Sequence, residues 1–129
     1  MDEFQKLVGK KVQNAFYDGK SIYLQLDDSV IELNPEGDCC ASCYVQHVSG
    51  TQALLGGVIE RIESIESNPT DKEKENTEVL KGWGHRFYIA GQGIFDIEMR
   101  LHHNGWYGGW MNIRTIEEVP ANTKQLADF

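Results

Sequence analysis

Residues 87–116 read FYIAGQGIFDIEMRLHHNGWYGGWMNIRTI, and this stretch decides the fold that the sequence predicts. Residues 95–101 alternate strictly between apolar and polar side chains, which is the period of a half-buried β-strand. Asn104 and Gly105 then supply turn chemistry, because both residue types tolerate positive φ angles. Residues 106–116 are therefore predicted to return as the second strand of a hairpin.

The pattern of polar and apolar side chains in the two strands sets the register of this predicted hairpin. A plain two-residue loop would place Met99 opposite Trp110 and mix apolar with polar side chains on one face. One extra residue in the returning strand, at Gly108 and Gly109, places Met99 opposite Met111 and Ile97 opposite Ile113. On the other face this register pairs Asp96 with Arg114, Glu98 with Asn112, and Arg100 with Trp110.

The polar face of the hairpin is the candidate ligand surface. A purine needs an aromatic face and its phosphates need guanidinium groups, so these residue types predict a nucleotide-stacking pocket, to which Arg86 adds a further guanidinium. Aromatic hairpins with charge pairs also arise because such pairs stabilise sheets, by about 0.2–1 kcal/mol each. Both interpretations stay open. The predicted ligand-binding residues are Arg100, Arg114, Trp110, Asn112, Asp96, Asn104, Trp106 and Tyr107.

Composition bounds the class of protein. A chain of 129 residues predicts a single domain spanning residues 1–129, and its contents of 40% hydrophobic and 25% charged residues are ordinary for a globular protein. No apolar run is long enough to span a membrane, and the N-terminus lacks the apolar core of a signal peptide, which predicts a cytoplasmic location. The net charge of -8 argues against DNA as a partner and leaves a basic protein partner open.

The first half of the chain predicts a meander. Residues 1–8 read as one helical turn ended by Gly9, and residues 12–33 as three short antiparallel strands joined by tight turns. Asn34-Pro35-Glu36-Gly37 is expected to end the meander. Residues 54–59 (LLGGVI) resemble residues 7–12 (LVGKKV). In both stretches we expect a short helical turn that ends at a glycine and is followed by a strand.

The second half adds strands and two irregular segments. Residues 58–65 favour a strand over a helix, because Ile and Val favour strands. Residues 66–82 are rich in charges, Pro and Asn, and predict a mobile loop. Residues 121–129 read as a polar tail. Together these features predict an α+β fold, mainly an antiparallel β-sheet meander with one or two short helical turns.

The cysteines offer a metal hypothesis. Cys40 and Cys43 with His47 have zinc-ligand spacing, to be completed by Cys39 or by one of His85, His102 and His103. Against this, adjacent Cys39 and Cys40 would point to opposite faces of a strand, and thiols are common in cores. Zinc binding therefore stays undecided, and no cofactor is predicted. A cysteine nucleophile with a histidine base is imaginable but has no local signature, so we expect no enzyme.

Short motifs resemble a family of small proteins encoded by bacteriophages and prophages. The Asp38-Cys39-Cys40 box, a β segment, a Leu-Leu-Gly turn, an aromatic strand and Asn104-Gly105-Trp106-Tyr107 follow one another as in that family. The chain departs from the pattern at Cys43, at Trp106, where a tyrosine is expected, and at Gly108-Gly109. The resemblance implies a phage origin and a noncatalytic counter-defence role, as in anti-Thoeris and anti-CBASS proteins that sequester nucleotide signals.

These observations predict a homo-oligomeric binding protein that sequesters a small nucleotide signal, of the cyclic nucleotide or ADP-ribose type, without turnover. The homo-oligomer follows from aromatic and glycine-rich edges that a monomer would expose. If the chain is phage-encoded, we expect it in the cytoplasm of the host. Two alternatives remain open: an acidic inhibitor that binds a host defence protein directly, and a zinc-stabilised structural module.

Overall fold

A computed structural model of the protein describes residues 3–38, 41–75, 79–103 and 108–129. Its strands are β1 (Val12–Tyr17), β2 (Ile22–Leu26), β3 (Val30–Gly37), β4 (Ser42–Ser49), β5 (Ile59–Ile65), β6 (Val79–Ile89), β7 (Gly93–His103), β8 (Gly109–Ile116) and β9 (Lys124–Gln125). The helical segments in these ranges are an N-terminal 3₁₀ helix (Glu3–Leu7), α1 (Thr51–Leu54) and α2 (Asp71–Lys74). No helix within the described ranges is long and apolar enough to cross a membrane.

The strands form two antiparallel sheets. The first sheet has the order β8-β3-β2-β1-β9 and the second the order β4-β7-β6-β5. Strands make up 57% of the described residues, whereas each helical segment among them has only four or five residues. The prediction of a mainly antiparallel sheet is confirmed, but the fold is closer to all-β than to the predicted α+β class.

The core lies between the two sheets. Leu24 and Leu33 from the first sheet belong to one buried cluster with Phe87, Phe95 and Ile97 from the second. Phe87 and Phe95 meet edge to face with ring centroids 5.5 Å apart. The period-2 alternation of β7 therefore predicted correctly which of its side chains face the core.

Two glycine-ended turns join the sheets. Gly9 and Gly56 both adopt positive φ angles, and each follows a helical segment and precedes a strand, as the sequence echo predicted. The two segments also bond to each other: Gly9 N–H donates to the Ile59 carbonyl (2.7 Å) and Val12 N–H to the Gly57 carbonyl (2.8 Å). The start of β1 in the first sheet is thereby fixed to the start of β5 in the second.

The predicted hairpin between residues 95–101 and 106–116 is wrong. β7 pairs with β6 on one side and β4 on the other, and β8 lies in the opposite sheet along β3. Met99 and Met111, predicted to be a cross-strand pair, are both buried in the shared core but enter it from different sheets. Apolar residues match across a sandwich as well as across a hairpin, so polarity alone could not identify the partner strand.

Asn34-Pro35-Glu36-Gly37 does not end the meander as predicted. β3 continues through these residues to Gly37, and Pro35 lies opposite Met111 of β8. Pairing with β2 ends at Leu33, so Pro35 has a single neighbouring strand. A proline is tolerated there because its missing N–H falls where no second strand needs a donor.

The two segments predicted to be irregular carry defined structure. Within residues 66–82, α2 begins with Thr70 as its N-cap in a capping box with Glu73, and β6 already starts at Val79. In the C-terminal segment, β9 pairs with β1, and Phe129 exchanges two backbone hydrogen bonds of 2.9 Å with Val48 of β4. The polar tail is therefore docked against both sheets.

Candidate functional site

The predicted ligand-binding residues separate into three groups. Asp96 and Arg100 lie on β7 in the second sheet, whereas the other described members lie on β8 in the first. The β8 group comprises Trp110, Asn112 and Arg114, which alternate with the inward-facing Met111 and Ile113 and so share the outer face. The predicted members outside the described residues are Asn104, Trp106 and Tyr107.

Arg100 is buried beneath the segment that precedes β6, with 2% of the residue exposed. Its Nε donates to Glu73 Oε2 (2.7 Å), and its Nη1 donates to the backbone carbonyls of Ser67 (3.0 Å) and Met99 (2.8 Å). Gly82 permits this close approach, since a Cβ there would lie 2.0 Å from the Ser67 carbonyl oxygen. The Arg100 hydrogen bond lowers the pKa of Glu73. This guanidinium fastens one segment of the fold and is not available to a ligand.

Asp96 is also engaged within its own sheet. Arg86 donates to both carboxylate oxygens of Asp96 at 2.8 Å, in the forked geometry that suits a guanidinium. The hydrogen bond and charge of Asp96 raise the pKa of Arg86. The predicted pairing of Asp96 with Arg114 is therefore replaced by a pair within the β6–β7 hairpin.

Arg114 bonds to an acid that the sequence interpretation missed. Its Nε donates to Glu32 Oε1 across the β3–β8 pair, and Glu32 is 7% exposed. Glu32 also accepts from the hydroxyls of Ser21 (3.0 Å) and Tyr23 (3.3 Å) on the outer face of the sheet. Burial, followed by the carboxylates of Asp18 and Glu32, raises the pKa of Tyr23. The sequence signal that could have identified Glu32 as a partner of Arg114 was its outward position in the alternation of β3.

A hollow of about 380 Å³ lies at the Trp110 end of this sheet. Its lining includes Lys20, Glu36, Ser42, Cys43 and Trp110. Trp110 is 45% exposed, so much of its indole is open to solvent beside the hollow. The volume falls within the range of small-ligand sites.

The Asp-Cys-Cys box meets the end of the late glycine-rich segment beside this hollow. Asp38 N–H donates to the Gly108 carbonyl (2.9 Å), and Gly108 N–H donates to Asp38 Oδ2 (2.8 Å). The neighbouring residues Gly37 and Gly109 are paired across β3 and β8. A Cβ on Gly109 would lie 2.7 Å from Leu101 Cδ1. Two stretches that the sequence singled out separately are thus bonded directly to each other.

A family model described as "Domain of unknown function (DUF7448)" matches residues 5–113. The chain belongs to this family. The part that defines the DUF7448 family therefore takes in both bonded residues, Asp38 and Gly108, as well as Trp110 and the hollow, and it ends before Arg114. No curated protein and no solved structure matches the chain.

The cysteine of β4 in this DUF7448 member is a partly buried thiol. Cys43 packs against the core with Sγ 3.8 Å from the Trp110 carbonyl oxygen, and burial raises the pKa of its thiol to about 11. His47 is exposed on the same strand, and His85 packs against Phe4 with ring centroids 4.2 Å apart. The described residues contain no cluster of three or more metal-ligating side chains. Cys39 and Cys40 lie outside the described residues.

A second hollow, of about 440 Å³, lies between β1 and the C-terminal segment. Tyr17 and Phe129 stack in it with ring centroids 5.0 Å apart. Lys124 adds one positive charge, and Asp18 and Asp128 add two negative charges. It contains none of the predicted ligand-binding residues and lies outside residues 5–113 except at β1 and the turn that follows. The Trp110 hollow is therefore the better candidate site.

Proposed function

We propose that this protein is a noncatalytic binding protein that recognises another protein through a contact surface formed by Trp110, Glu36 and Lys20. The observation that carries the proposal is the exposed indole of Trp110 at the rim of a hollow. Tryptophan is enriched among the residues that dominate protein interfaces, because a large rigid side chain gains much contact area at low entropic cost. The bonds between Asp38 and Gly108 hold the adjoining backbone in place for such a contact.

The charges favour a protein partner over a phosphate-bearing ligand. Each guanidinium assigned to phosphate binding by sequence is bonded to a carboxylate in the described part of the chain: Arg86 to Asp96, Arg100 to Glu73, and Arg114 to Glu32. Glu36 lines the Trp110 hollow and Asp38 adjoins it, in a chain of net charge -8. A partner with a basic surface complements this end and gains association rate from the attraction.

The noncatalytic part of the proposal is supported by the state of Cys43, one of the three candidate cysteine nucleophiles. Cys43 is the cysteine among the described residues, and its raised pKa keeps it a neutral thiol near neutral pH. Neutral thiols are poor nucleophiles, since the thiolate is the reactive form.

Site-directed photocrosslinking tests the proposed contact. A photoreactive phenylalanine analogue replaces Trp110 in one variant and Ile94, which is 41% exposed on the other sheet, in the control variant. We expect a discrete protein adduct from position 110 in the native cell extract, suppressed by excess wild-type protein but not by excess Trp110→Ala. Equal adducts at both positions, or none at position 110, would contradict the proposal.

Nucleotide sequestration is a second candidate, favoured by one observation. Lys20 and Trp110 line the same hollow, so one cation and one indole are available to a phosphate and a base. Under this function, cyclic nucleotides or ADP-ribose raise the thermal midpoint with the logarithm of free ligand, and Trp110→Ala removes the shift. The first candidate predicts no shift with any nucleotide. The phage origin and the counter-defence role stay predictions.

A further inference from the structure

The docked segment, defined as residues 124–129, bonds to both sheets through its backbone. Its first two residues pair with β1, and Leu126 N–H donates to the Ala15 carbonyl (2.9 Å). Phe129 exchanges two hydrogen bonds of 2.9 Å with Val48, on the edge strand of the second sheet. The surface beneath the segment therefore recognises an extended backbone, as in the addition of a peptide strand to a sheet.

Three side chains of the docked segment make distinct contacts with that surface. Leu126 is 5% exposed and belongs to the core cluster. The Asp128 carboxylate accepts from two backbone N–H groups where α1 begins, at 2.9 and 3.2 Å. Phe129 stacks on Tyr17. The surface thus matches an aliphatic residue, then an acidic residue two positions later, and an aromatic residue next to the acid.

The docked segment is held at these few points and is otherwise open to solvent. Within residues 124–129, Leu126 alone is buried, and 44% of Phe129 is exposed. Hollows of about 440 and 320 Å³ flank the segment, and Ala127 and Asp128 line both. Segments with few buried apolar contacts open at a lower free energy than the core of a protein. Detachment of this segment would join the two hollows into one groove.

The DUF7448 family model matches the residues that form this groove but not those that fill it. β1, Val48 and α1 lie within residues 5–113, whereas the docked segment lies beyond them. The family-defining part of the chain therefore provides the groove, and its occupant comes from outside that part. A segment of a different protein can make the same contacts.

We propose that this groove is a docking site for an extended segment of another protein, with the pattern aliphatic, any residue, acidic, aromatic. The docked segment occupies the site within the same chain and detaches before the partner binds. A tethered occupant competes at an effective concentration of about millimolar order, so the docked segment restrains binding. The groove contains none of Trp110, Glu36 and Lys20, so this proposal does not depend on the proposed function.

A different protein is favoured over a second copy as the occupant. Two copies that exchanged their docked segments would form the same contacts that each monomer already makes. They would also lose the freedom of separate molecules on association, so the exchange brings no compensating gain. A different protein can add contacts beyond the groove and so compete with the docked segment.

Peptide binding to the full-length protein tests the site. Leu126→Ser removes the buried side chain of the docked segment, and the probe is a fluorescent peptide with the sequence of residues 123–129, TKQLADF. We expect the folded variant to bind this probe at least about 100-fold more tightly than wild type does, because the wild-type segment competes. Equal affinities of the variant and wild type, or no binding to the folded variant, would overturn the proposal.

Two matched peptides test the residue pattern. One carries Leu126→Ser and Asp128→Asn and should not bind the variant protein, because it lacks the aliphatic and acidic residues. The other keeps the leucine, aspartate and phenylalanine and has serine at every other position, and we expect it to bind within about threefold of the probe. Binding of the first peptide, or loss of binding by the second, would overturn the proposal.

Amide exchange in the wild-type protein tests whether the docked segment detaches by itself. We expect the amides of Leu126 and Phe129 to exchange at least about tenfold faster than those of β7, with little dependence on urea, because local opening exposes little surface. Exchange with the rate and urea dependence of β7 would mean that the segment opens only on global unfolding, and would overturn the proposal. This experiment remains decisive if Leu126→Ser does not fold.

An isotope-mixed sample tests for the second copy. Labelled and unlabelled wild-type protein are mixed, unfolded, refolded together and examined for nuclear Overhauser effects between chains. We expect none between Phe129 of one copy and Tyr17 of the other. Such cross-peaks would show that copies exchange their docked segments, and would overturn the assignment of the groove to a different protein.

Discussion

The bond between Arg100 and Glu73 makes a quantitative prediction about stability. The Arg100 side chain is 3% exposed, and its Nε and Nη2 donate to the two Glu73 oxygens at 2.7 and 3.3 Å. Glu73→Gln removes the charge but keeps the size and one acceptor. Removing one partner of a fully buried ion pair costs about 3–5 kcal/mol, because the other charge stays buried. Glu73 is 18% exposed, so water relieves part of that penalty and we expect a loss of about 1–3 kcal/mol.

Thermal and urea unfolding measure this loss. For a chain of this size, about 1 kcal/mol shifts the midpoint by about 3–5 °C, so we expect Tm to fall by about 3–15 °C. Glu75→Gln removes the same charge from an exposed position two residues further on and should change the free energy of unfolding by less than about 0.5 kcal/mol. Equal effects of the two variants, or additivity of Glu73→Gln with Arg100→Met in a double-mutant cycle, would refute the buried bond.

Three further predictions follow from single contacts. Gly109→Ala should destabilise the fold by about 1–3 kcal/mol, because the added Cβ lies 2.7 Å from Leu101 Cδ1, whereas Gly108→Ala, with its Cβ 3.5 Å from a flexible carboxylate, should be near neutral in urea unfolding. Hydrogen bonds from the start of α1 lower the pKa of Asp128. Its contribution to stability is therefore present above the unfolded value of 3.8 and lost as pH falls through the folded pKa, so Asp128→Asn should flatten the acid limb of the stability profile. Cys43, with a pKa of about 11, holds about one thousandth of its thiol as thiolate at about pH 8. Peptide mapping after iodoacetamide treatment should therefore find it alkylated at least about tenfold more slowly than a model peptide thiol.

Local chemistry in the sequence predicted much of the fold. Alternation identified the inward face of β7, and glycines identified the ends of the helical turns at Gly9 and Gly56, because each of these signals acts within a few residues. The sequence did not identify which strands are neighbours. Met111 could reach the shared core from either sheet, so the alternation of β8 did not distinguish β7 from β3 as its neighbouring strand.

In the candidate site, too, local features were predicted correctly and long-range contacts were not. The outer face of β8 was predicted with its correct side chains, Trp110, Asn112 and Arg114, because strand alternation fixes which residues share a face. Arg100 was assigned to that face only through the wrong pairing. Its burial depends on Glu73, which lies 27 positions away in a segment that composition predicted to be a mobile loop. Long-range ion pairs of this kind leave no periodic signal in a sequence.

The pairing of β8 with β3, which separates Arg100 from Trp110 and leaves the indole as the centre of the contact surface, is the central claim. Cross-strand nuclear Overhauser effects test it directly. Asn112 lies opposite Asn34 in the structure, whereas the hairpin predicted from sequence would place Asn112 opposite Glu98. We expect backbone cross-peaks between Asn112 and Asn34 and none between Asn112 and Glu98. Cross-peaks between Asn112 and Glu98 would contradict the account.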